Sequence, residues 1–271
     1  MEQEQLILWL AVLSYVSAGV VAIFNVLLQK KTETVIQLFI WLGLGLHAWA
    51  IGLRWIRLDH GPYITMFEIL SSNVFSLMLF FAIVYWRYKP IRPSASVVLP
   101  ILFIMMGWMM LSPYEAGHRP PSFDTIWLWI HIGFGKIFMG SVLVAVGMAG
   151  IILLRRYSWA QYRFSKLPSN ERLDDLAFRF MALGLVFDSL MLIAGAIWAQ
   201  DAWGRYWAWD PLETWSFITW LTLVIALHLR VTLKLSVQSG AFLILAVFVL
   251  AFITFFGIPF VSTSPHQGTF S

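Results

Sequence analysis

Six histidines are the side chains of this sequence best suited to bind a metal, since the chain contains no cysteine. They are His47, His60, His118, His131, His228 and His266. A neutral imidazole is a common ligand of transition metals, and an ionisable side chain inside a membrane span is by default a candidate functional residue. The absence of cysteine excludes disulfides, thiolate metal sites and thiol redox chemistry within the chain itself.

The elements that must position these histidines are membrane helices. The chain has 271 residues, 60% of them apolar and 12% charged, which excludes an ordinary soluble domain, a disordered chain and a nucleic-acid-binding domain. A membrane span needs about 20 apolar residues. Eight segments qualify, namely 5–29, 35–57, 66–86, 96–113, 126–154, 177–200, 212–233 and 238–260. We therefore predict an all-α, polytopic integral membrane protein with a single membrane domain over residues 1–271.

The basic residues predict the orientation of these spans. If the N-terminus lies outside, most of the 18 Lys and Arg residues fall in inner loops. The outer loops then contain only Arg54, Arg57, Arg119 and Arg205. Because cytoplasmic loops carry the excess of Lys and Arg, this distribution predicts that both termini lie outside. In the longest inner loop, residues 155–176, we predict a short helix beginning at Asn170.

Lys136 and Asp188 are charged side chains that lie well inside predicted spans. Lys136 lies in the fifth span and Asp188 in the sixth. Because an unpaired charge inside a bilayer is costly, we predict that the two form an ion pair, rather than a proton path.

Two pairs of histidines can face one another in this topology. His131, near the outer end of the fifth span, and His266, in the outer tail, lie at the same interface. Two such imidazoles can hold a planar metallocofactor such as heme. His228, deep in the seventh span, and His47, in the second, are candidates for an intramembrane pair. The alternative for each histidine is an ordinary hydrogen bond to a neighbouring helix.

The segment 201–220, DAWGRYWAWDPLETWSFITW, is unusually rich in tryptophan. Interfacial belts are enriched in Trp and Tyr, but here Trp203, Tyr206, Trp207 and Trp209 are almost consecutive. If the segment is helical, Trp203 and Trp207 share one face and form a platform that stacks on a flat apolar ring. Arg205 can pair with a carboxylate at the edge of such a ring.

The seventh span is predicted to begin at Asp210, directly after this platform. Asp is a favoured N-cap, Pro211 suits the first helical position, and Glu213 can close a capping box. Asp210 either caps the helix or directs its carboxylate to the ligand, and both roles stay open. A flat apolar ring with anionic edges, next to two imidazoles, indicates heme.

The tryptophan-rich segment resembles the WWD signature of the heme-handling cytochrome c assembly family that includes CcsA, ResC and CcmC. The signature covers residues 203–210 (WGRYWAWD) and continues to Trp215. Residues 127–131 (WLWIH) and His266 resemble the two external histidine regions of the CcsA branch, and residues 228–230 (HLR) resemble its transmembrane histidine. The early stretch RWIRLDHGPYITMFE is also similar, with phenylalanine where the family usually has tyrosine.

The resemblance implies a heme-ligating subunit of a holocytochrome c synthase (heme lyase) complex. It implies that His131 and His266 ligate heme b at the outer face, where the WWD segment, about 201–215, holds the edge of the heme. His228 would belong to a transmembrane heme site whose other ligand comes from a CcsB- or ResB-like partner, or from His47. The chain would then move heme outward and present it to apocytochrome c. The expected location is the bacterial cytoplasmic membrane, with the WWD face periplasmic, or the plastid thylakoid.

Other functions compete with this interpretation. Eight spans favour the CcsA branch over a CcmC-like protein that delivers heme to a chaperone. A diheme cytochrome b-type anchor would carry electrons and would place its histidine pairs within the spans. A secondary transporter would have Gly- or Pro-interrupted helices at matching positions of two halves, and the sequence has no such symmetry.

Overall fold

The computed structural model describes residues 2–30, 32–165 and 167–261 and is helical throughout its regular parts. The helices are α1 (Glu2–Leu28), α2 (Glu33–Leu58), α3 (Met66–Arg87), α4 (Ala95–Leu111), α5 (Ile126–Leu154), α6 (Ser158–Arg163), α7 (Asn170–Trp203), α8 (Pro211–Thr232), α9 (Val237–Phe252) and α10 (Ile258–Val261). Short 3-10 turns occupy Lys89–Ser94 and Pro121–Phe123. A π-helical turn, Ile253–Gly257, follows α9.

Eight of the described helices are long and apolar enough to cross a membrane. They are α1, α2, α3, α4 with its preceding 3-10 turn, α5, α7, α8, and α9 with its π-helical turn. The prediction of an all-α integral membrane protein with eight spans is therefore confirmed. The side of the membrane on which each terminus lies stays a prediction.

The loop before the sixth span differs from its prediction. A helix begins at Asn170, as expected, but it continues without a break to Trp203. It is therefore the start of the span itself rather than a short separate helix. The reason is a continuous buried face at helical spacing, formed by Leu173, Ala177, Met181, Gly184 and Asp188. The loop's own short helix is α6, which the sequence analysis did not predict.

The described chain packs as two compact units. The first contains residues Met1–Gly117 and Gly150–Ser169, and the second contains His118–Ala149 and Asn170–Ser271. Helix α5 passes from the second unit into the first at Gly150. The prediction of a single membrane domain stays a prediction, because two packed units can belong to one membrane domain.

Helices α1 to α4 form the core of the first unit. Its largest fully buried side chains include Tyr15, Phe81 and Tyr85. Helix α3 begins with a capping box, in which the Thr65 hydroxyl accepts the Glu68 N–H and the Glu68 carboxylate accepts the Thr65 N–H. The sequence contains this Thr-x-x-Glu signal, but the sequence analysis did not use it.

Hydrogen bonds between side chains tie the spans of the second unit together. The indole N–H of Trp220 on α8 donates to the hydroxyl of Ser189 on α7 at 2.8 Å. The hydroxyls of Thr219 on α8 and Thr254, in the turn after α9, lie 2.8 Å apart. Between membrane helices, such bonds stabilise packing that apolar contact alone does not direct.

Candidate functional site

The imidazole of His131 is held against α7. Its Nδ1 lies 2.9 Å from the carbonyl oxygen of Met191. Because a carbonyl only accepts, Nδ1 carries the proton, and the lone pair of the neutral ring is on Nε2. Such a bond fixes the tautomer and orientation of metal-binding histidines.

Two residues of α7 complete the surroundings of this ring. A Cβ atom on Gly195 would lie 2.7 Å from Nδ1 of His131. The imidazole therefore occupies the space that the side chain of any larger residue at position 195 would fill. The indole of Trp198 packs against the imidazole with ring centres 5.9 Å apart and planes inclined by 32°. The indole N–H of Trp198 donates to the Ser122 carbonyl at 3.0 Å. Trp198 was not among the predicted site residues, although its spacing from Gly195 places both on one face of α7.

The tryptophan-rich segment is not a helical platform, which corrects the prediction that Trp203 and Trp207 share a helix face. Helix α7 ends at Trp203, and Gly204 adopts φ 72°. Glycine accepts this left-handed conformation without strain and commonly ends helices. Residues 205–210 then run as an irregular connection to α8. Trp209 is also left-handed, with φ 58°, which is unfavourable for a bulky side chain.

The irregular connection separates the indoles into two clusters. Trp203 packs on Trp198, with ring centres 5.1 Å apart, and so extends the surroundings of His131. Trp207 and Trp209 contact each other edge to face at 5.7 Å, and both contact Phe217 on α8. The predicted platform is therefore replaced by one cluster behind the histidine and a second at the start of α8.

The connection also presents groups that suit a flat anionic ligand. Arg205 is exposed, and Tyr206 and Trp209 are 61% and 67% exposed. The indole nitrogen of Trp207 is buried and has no hydrogen-bond partner among the described residues. A buried donor without an acceptor is costly. The segment thus combines exposed aromatic faces, a guanidinium and an unused N–H donor.

Asp210 caps α8, which is one of the two roles that the sequence leaves open for its carboxylate. Its Oδ1 accepts the Glu213 N–H at 2.9 Å, and Pro211 occupies the first helical position. The Glu213 carboxylate reaches back to the N–H of Ala208 at 2.7 Å. The two carboxylates therefore secure both the start of α8 and the end of the irregular connection.

We expect Asp210→Asn to retain both the thermal stability and the ligand affinity of the wild type, because asparagine caps helices as well as aspartate does. Asp210→Ala loses the cap and should destabilise the protein by about 1 kcal/mol. Thermal unfolding and bound heme per chain measure the two effects. Loss of heme in Asp210→Asn at unchanged melting temperature would instead assign the carboxylate to the ligand.

The other candidate histidines differ sharply in exposure. His228 is exposed on α8, and its Nε2 lies 3.3 Å from the hydroxyl of Thr232. His47 is 1% exposed, with Nδ1 3.5 Å from the Tyr15 hydroxyl and Nε2 3.0 Å from the Ser71 hydroxyl. His266 lies outside the described residues.

Residues 44–266 match the sequence model of a family described as cytochrome C assembly protein. The chain belongs to this family. It is 29% identical over 241 residues to the cytochrome c biogenesis protein CcsA of Guillardia theta, covering 80% of this chain and 79% of that protein. It is 28% identical over 276 residues to CcsA of Prochlorococcus marinus strain MIT 9515, covering 92% and 87% of the two chains.

A solved structure shares the fold of this cytochrome c assembly protein. The cytochrome c heme lyase CcmF matches it with a TM-score of 0.67 at 18% identity, over 98% of this chain. The match covers 47% of the heme lyase, so this chain spans about half of that protein's length. At such low identity the likeness concerns the fold alone. The family and its curated relatives confirm the predicted role in cytochrome c assembly.

The early stretch of this assembly protein forms a buried ionic cluster. Arg54 Nε donates to Glu68 at 2.9 Å, and Arg54 Nη1 lies 3.6 Å from Glu4. The guanidinium carbon lies 5.0 and 4.6 Å from the ring centres of Phe67 and Tyr114, and these two rings pack edge to face on each other with centres 4.6 Å apart. Phe67 occupies the position where the family usually has tyrosine, and here it contacts the cation through its ring face.

The charges inside the fifth and sixth spans do not pair as predicted. Both carboxylate oxygens of Asp188 are buried and have no hydrogen-bond partner among the described residues. No ion pair joins Asp188 to Lys136 within the described part of the chain. The sequence places the two residues in adjacent spans, but only the rotation of each helix about its axis determines whether their side chains meet.

Proposed function

We propose that the chain binds heme b and presents it at the predicted outer face for thioether attachment to apocytochrome c. It does so within a synthase that also contains a CcsB- or ResB-like membrane protein. One observation carries the proposal. The ring of His131 is oriented by the Met191 carbonyl, backed by Trp198 and held with its lone pair on Nε2, the nitrogen that ligates iron.

The outer heme site would use His131 and His266 as axial ligands. Exposed rings of Tyr206 and Trp209 offer apolar faces for the porphyrin. Arg205 would pair with one propionate. Trp207, whose ring centre lies 5.7 Å from that of Trp209, would support the Trp209 ring against the heme. These groups fit a flat ligand that is apolar in its body and anionic at its edge.

The transmembrane heme site would use His228 with a ligand from the partner protein. An imidazole exposed on a membrane helix is costly in lipid. Of the eight described spans, α8 has the smallest share of its apolar stretch buried inside the protein, 22%. His47 is the in-chain alternative, but both of its ring nitrogens have nearby hydroxyl partners. These contacts favour the partner's ligand over His47.

Attachment itself requires little chemistry from this chain. Each cysteine of an apocytochrome Cys-x-x-Cys-His segment adds across one heme vinyl group, so that sulfur bonds to one carbon and the thiol proton goes to the other. No oxidant is consumed. The chain's own contribution is to ligate, orient and shield the heme. With no cysteine of its own, it offers no competing thiol.

The decisive experiment is purification of the chain together with its CcsB- or ResB-like partner, followed by absorption spectra and heme quantification. We expect His131→Ala, His266→Ala and His228→Ala each to lose heme or its bis-histidine spectrum. His118→Ala is the matched control, because His118 is exposed in a loop. Unchanged heme in all three variants contradicts the site.

Cytochrome c formation by the same complex separates the functional alternatives. We expect co-expressed apocytochrome to acquire covalent heme in the wild type and not in His131→Ala. A complex that binds heme and transfers electrons, but never matures the apocytochrome, would be a diheme anchor. A complex that passes heme to a soluble chaperone would act as CcmC does.

The protein is an integral membrane protein, and we propose a bacterial cytoplasmic or plastid thylakoid membrane for it. Support comes from its CcsA relatives in Prochlorococcus marinus and in the plant Lobularia maritima. In either membrane the WWD segment would face the compartment in which c-type cytochromes receive heme.

A further inference from the structure

Two groups of buried polar side chains lie along one face of α2 in the first unit. The first surrounds His47, which contacts Tyr15 of α1 and Ser71 of α3. The second is the ionic cluster around Arg54 and Glu68. Positions 47 and 54 are two helical turns apart, or about 10 Å along the axis. Polar contacts therefore continue from the end of α2 toward the middle of the span.

A small cavity lies between these two groups. Its volume is about 10 Å³, and its polar lining comes from Glu4, Arg54, Glu68, Ser71 and Tyr114. The lining thus includes the serine that contacts His47 and the charged residues of the ionic cluster. A buried water molecule needs about 10–15 Å³ and two to four polar partners. The cavity meets both requirements for one water.

Two atoms of the lining need such a partner. Glu4 Oε1 and the Tyr114 hydroxyl are buried and have no hydrogen-bond partner among the described residues; Nη1 of Arg54 lies 3.6 Å from Glu4 Oε1, beyond hydrogen-bond distance. Burial raises the pKa of Tyr114 to about 12, and a protonated phenol can donate a hydrogen bond. The carboxylate of Glu4 can only accept. Water satisfies both, because it donates and accepts.

We propose that this cavity binds a water molecule that connects Ser71 to the loop surface. Through this water, protons of the His47 ring exchange with the aqueous phase. On the inner side of the path, the Ser71 hydroxyl lies 3.0 Å from Nε2 of His47. On the loop side, Tyr114 lines the cavity directly after α4; its hydroxyl is buried, and the residue as a whole is partly exposed. A proton passes along this path without net chemistry, since each hydroxyl or water accepts one proton as it releases another.

The charges beside the path are balanced. Two carboxylates, Glu4 and Glu68, face two guanidinium groups, Arg54 and Arg57. His60 lies at the edge, with Nδ1 3.0 Å from the Gly61 carbonyl oxygen. A balanced cluster holds neutral water rather than a free ion. This access route is independent of heme and of the WWD segment.

Water-edited solid-state NMR of the full chain in lipid bilayers tests the proposal. The protein carries ¹³C,¹⁵N-labelled histidine, and the experiment measures how fast magnetisation passes from water to each ring. We expect transfer to His47 in the wild type, although the residue is only 1% exposed. Exposed His118 serves as the positive reference.

A variant that fills the cavity provides the second arm. Ala50 lines the cavity without a polar side chain, and Ala50→Leu should abolish transfer to His47 while His118 is unaffected. Gly52→Ala is the matched control, because an added Cβ there meets no atom within 4 Å. If Ala50→Leu does not fold, Ser71→Val replaces the hydroxyl and decides the question. No transfer to His47 in the wild type, or equal transfer in the folded filling variant, overturns the proposal.

Discussion

Gly195→Ala should sharply reduce the heme bound by the assembled complex. The new Cβ would lie 2.7 and 2.9 Å from Nδ1 and Cε1 of His131, so the ring must turn and lose its bond to the Met191 carbonyl. Overpacking of this kind costs about 1–3 kcal/mol, and each 1.4 kcal/mol is about a tenfold loss of affinity. We therefore expect roughly a tenfold loss of heme affinity, which lowers the heme retained by the complex and the yield of mature cytochrome c.

The control for this substitution is Gly133→Ala, two residues from His131 on α5. An added Cβ at Gly133 meets no atom within 4 Å. Where the added Cβ has room, replacing a helical glycine by alanine adds about 1 kcal/mol of stability. Lower helix propensity would therefore not account for a loss of heme in Gly195→Ala. Melting temperature and heme content are measured on the same samples. Wild-type heme in Gly195→Ala would show that the orientation of His131 is irrelevant to binding.

Arg54→Leu should be the most destabilising single substitution in the early stretch. It removes the guanidinium from two almost fully buried carboxylates, Glu4 and Glu68, and from the carbonyl oxygens of Tyr114 and Glu115. Breaking a buried pair from one side costs about 3–5 kcal/mol, because the remaining charge has no partner. The melting temperature in lipid nanodiscs measures the loss.

Two further variants show whether the charge imbalance is the cause. Arg57→Leu should cost less, since the Arg57 side chain is 34% exposed and pairs with Glu4 alone. Adding Glu68→Gln to Arg54→Leu should recover part of the stability, because it removes the charge of the buried carboxylate that lost its Arg54 partner. If Arg57→Leu is as destabilising as Arg54→Leu, the buried cluster does not have the assigned role.

The number of spans and the N-cap of α8 were predictable because both depend on local sequence. Apolar run length determines whether a segment can cross a membrane, and the Asp210-Pro211 pair determines where a helix begins. Gly204 is a local signal of the same kind, because it marks the end of α7. The prediction of a helix through Trp207 was wrong, because it rested on aromatic spacing and gave no weight to this glycine.

Contacts between helices were much harder to predict. Lys136 and Asp188 were expected to pair because they lie in neighbouring spans, yet no pair forms among the described residues. Trp198 was not among the predicted site residues, yet it packs against the candidate ligand His131. Successive residues of a helix are rotated by about 100° around its axis. Sequence periodicity alone does not determine which neighbouring helix each face contacts.

The sequence by itself determined the membrane-helical class, the family and the identity of the candidate ligands, because these depend on composition and on short motifs. Only the tertiary structure decided how those ligands are held. It placed the Met191 carbonyl on His131, two hydroxyls on His47, and His228 on an exposed face of α8. The physical reason is that a ligand's tautomer, orientation and access depend on atoms from other helices, whose approach is set by packing.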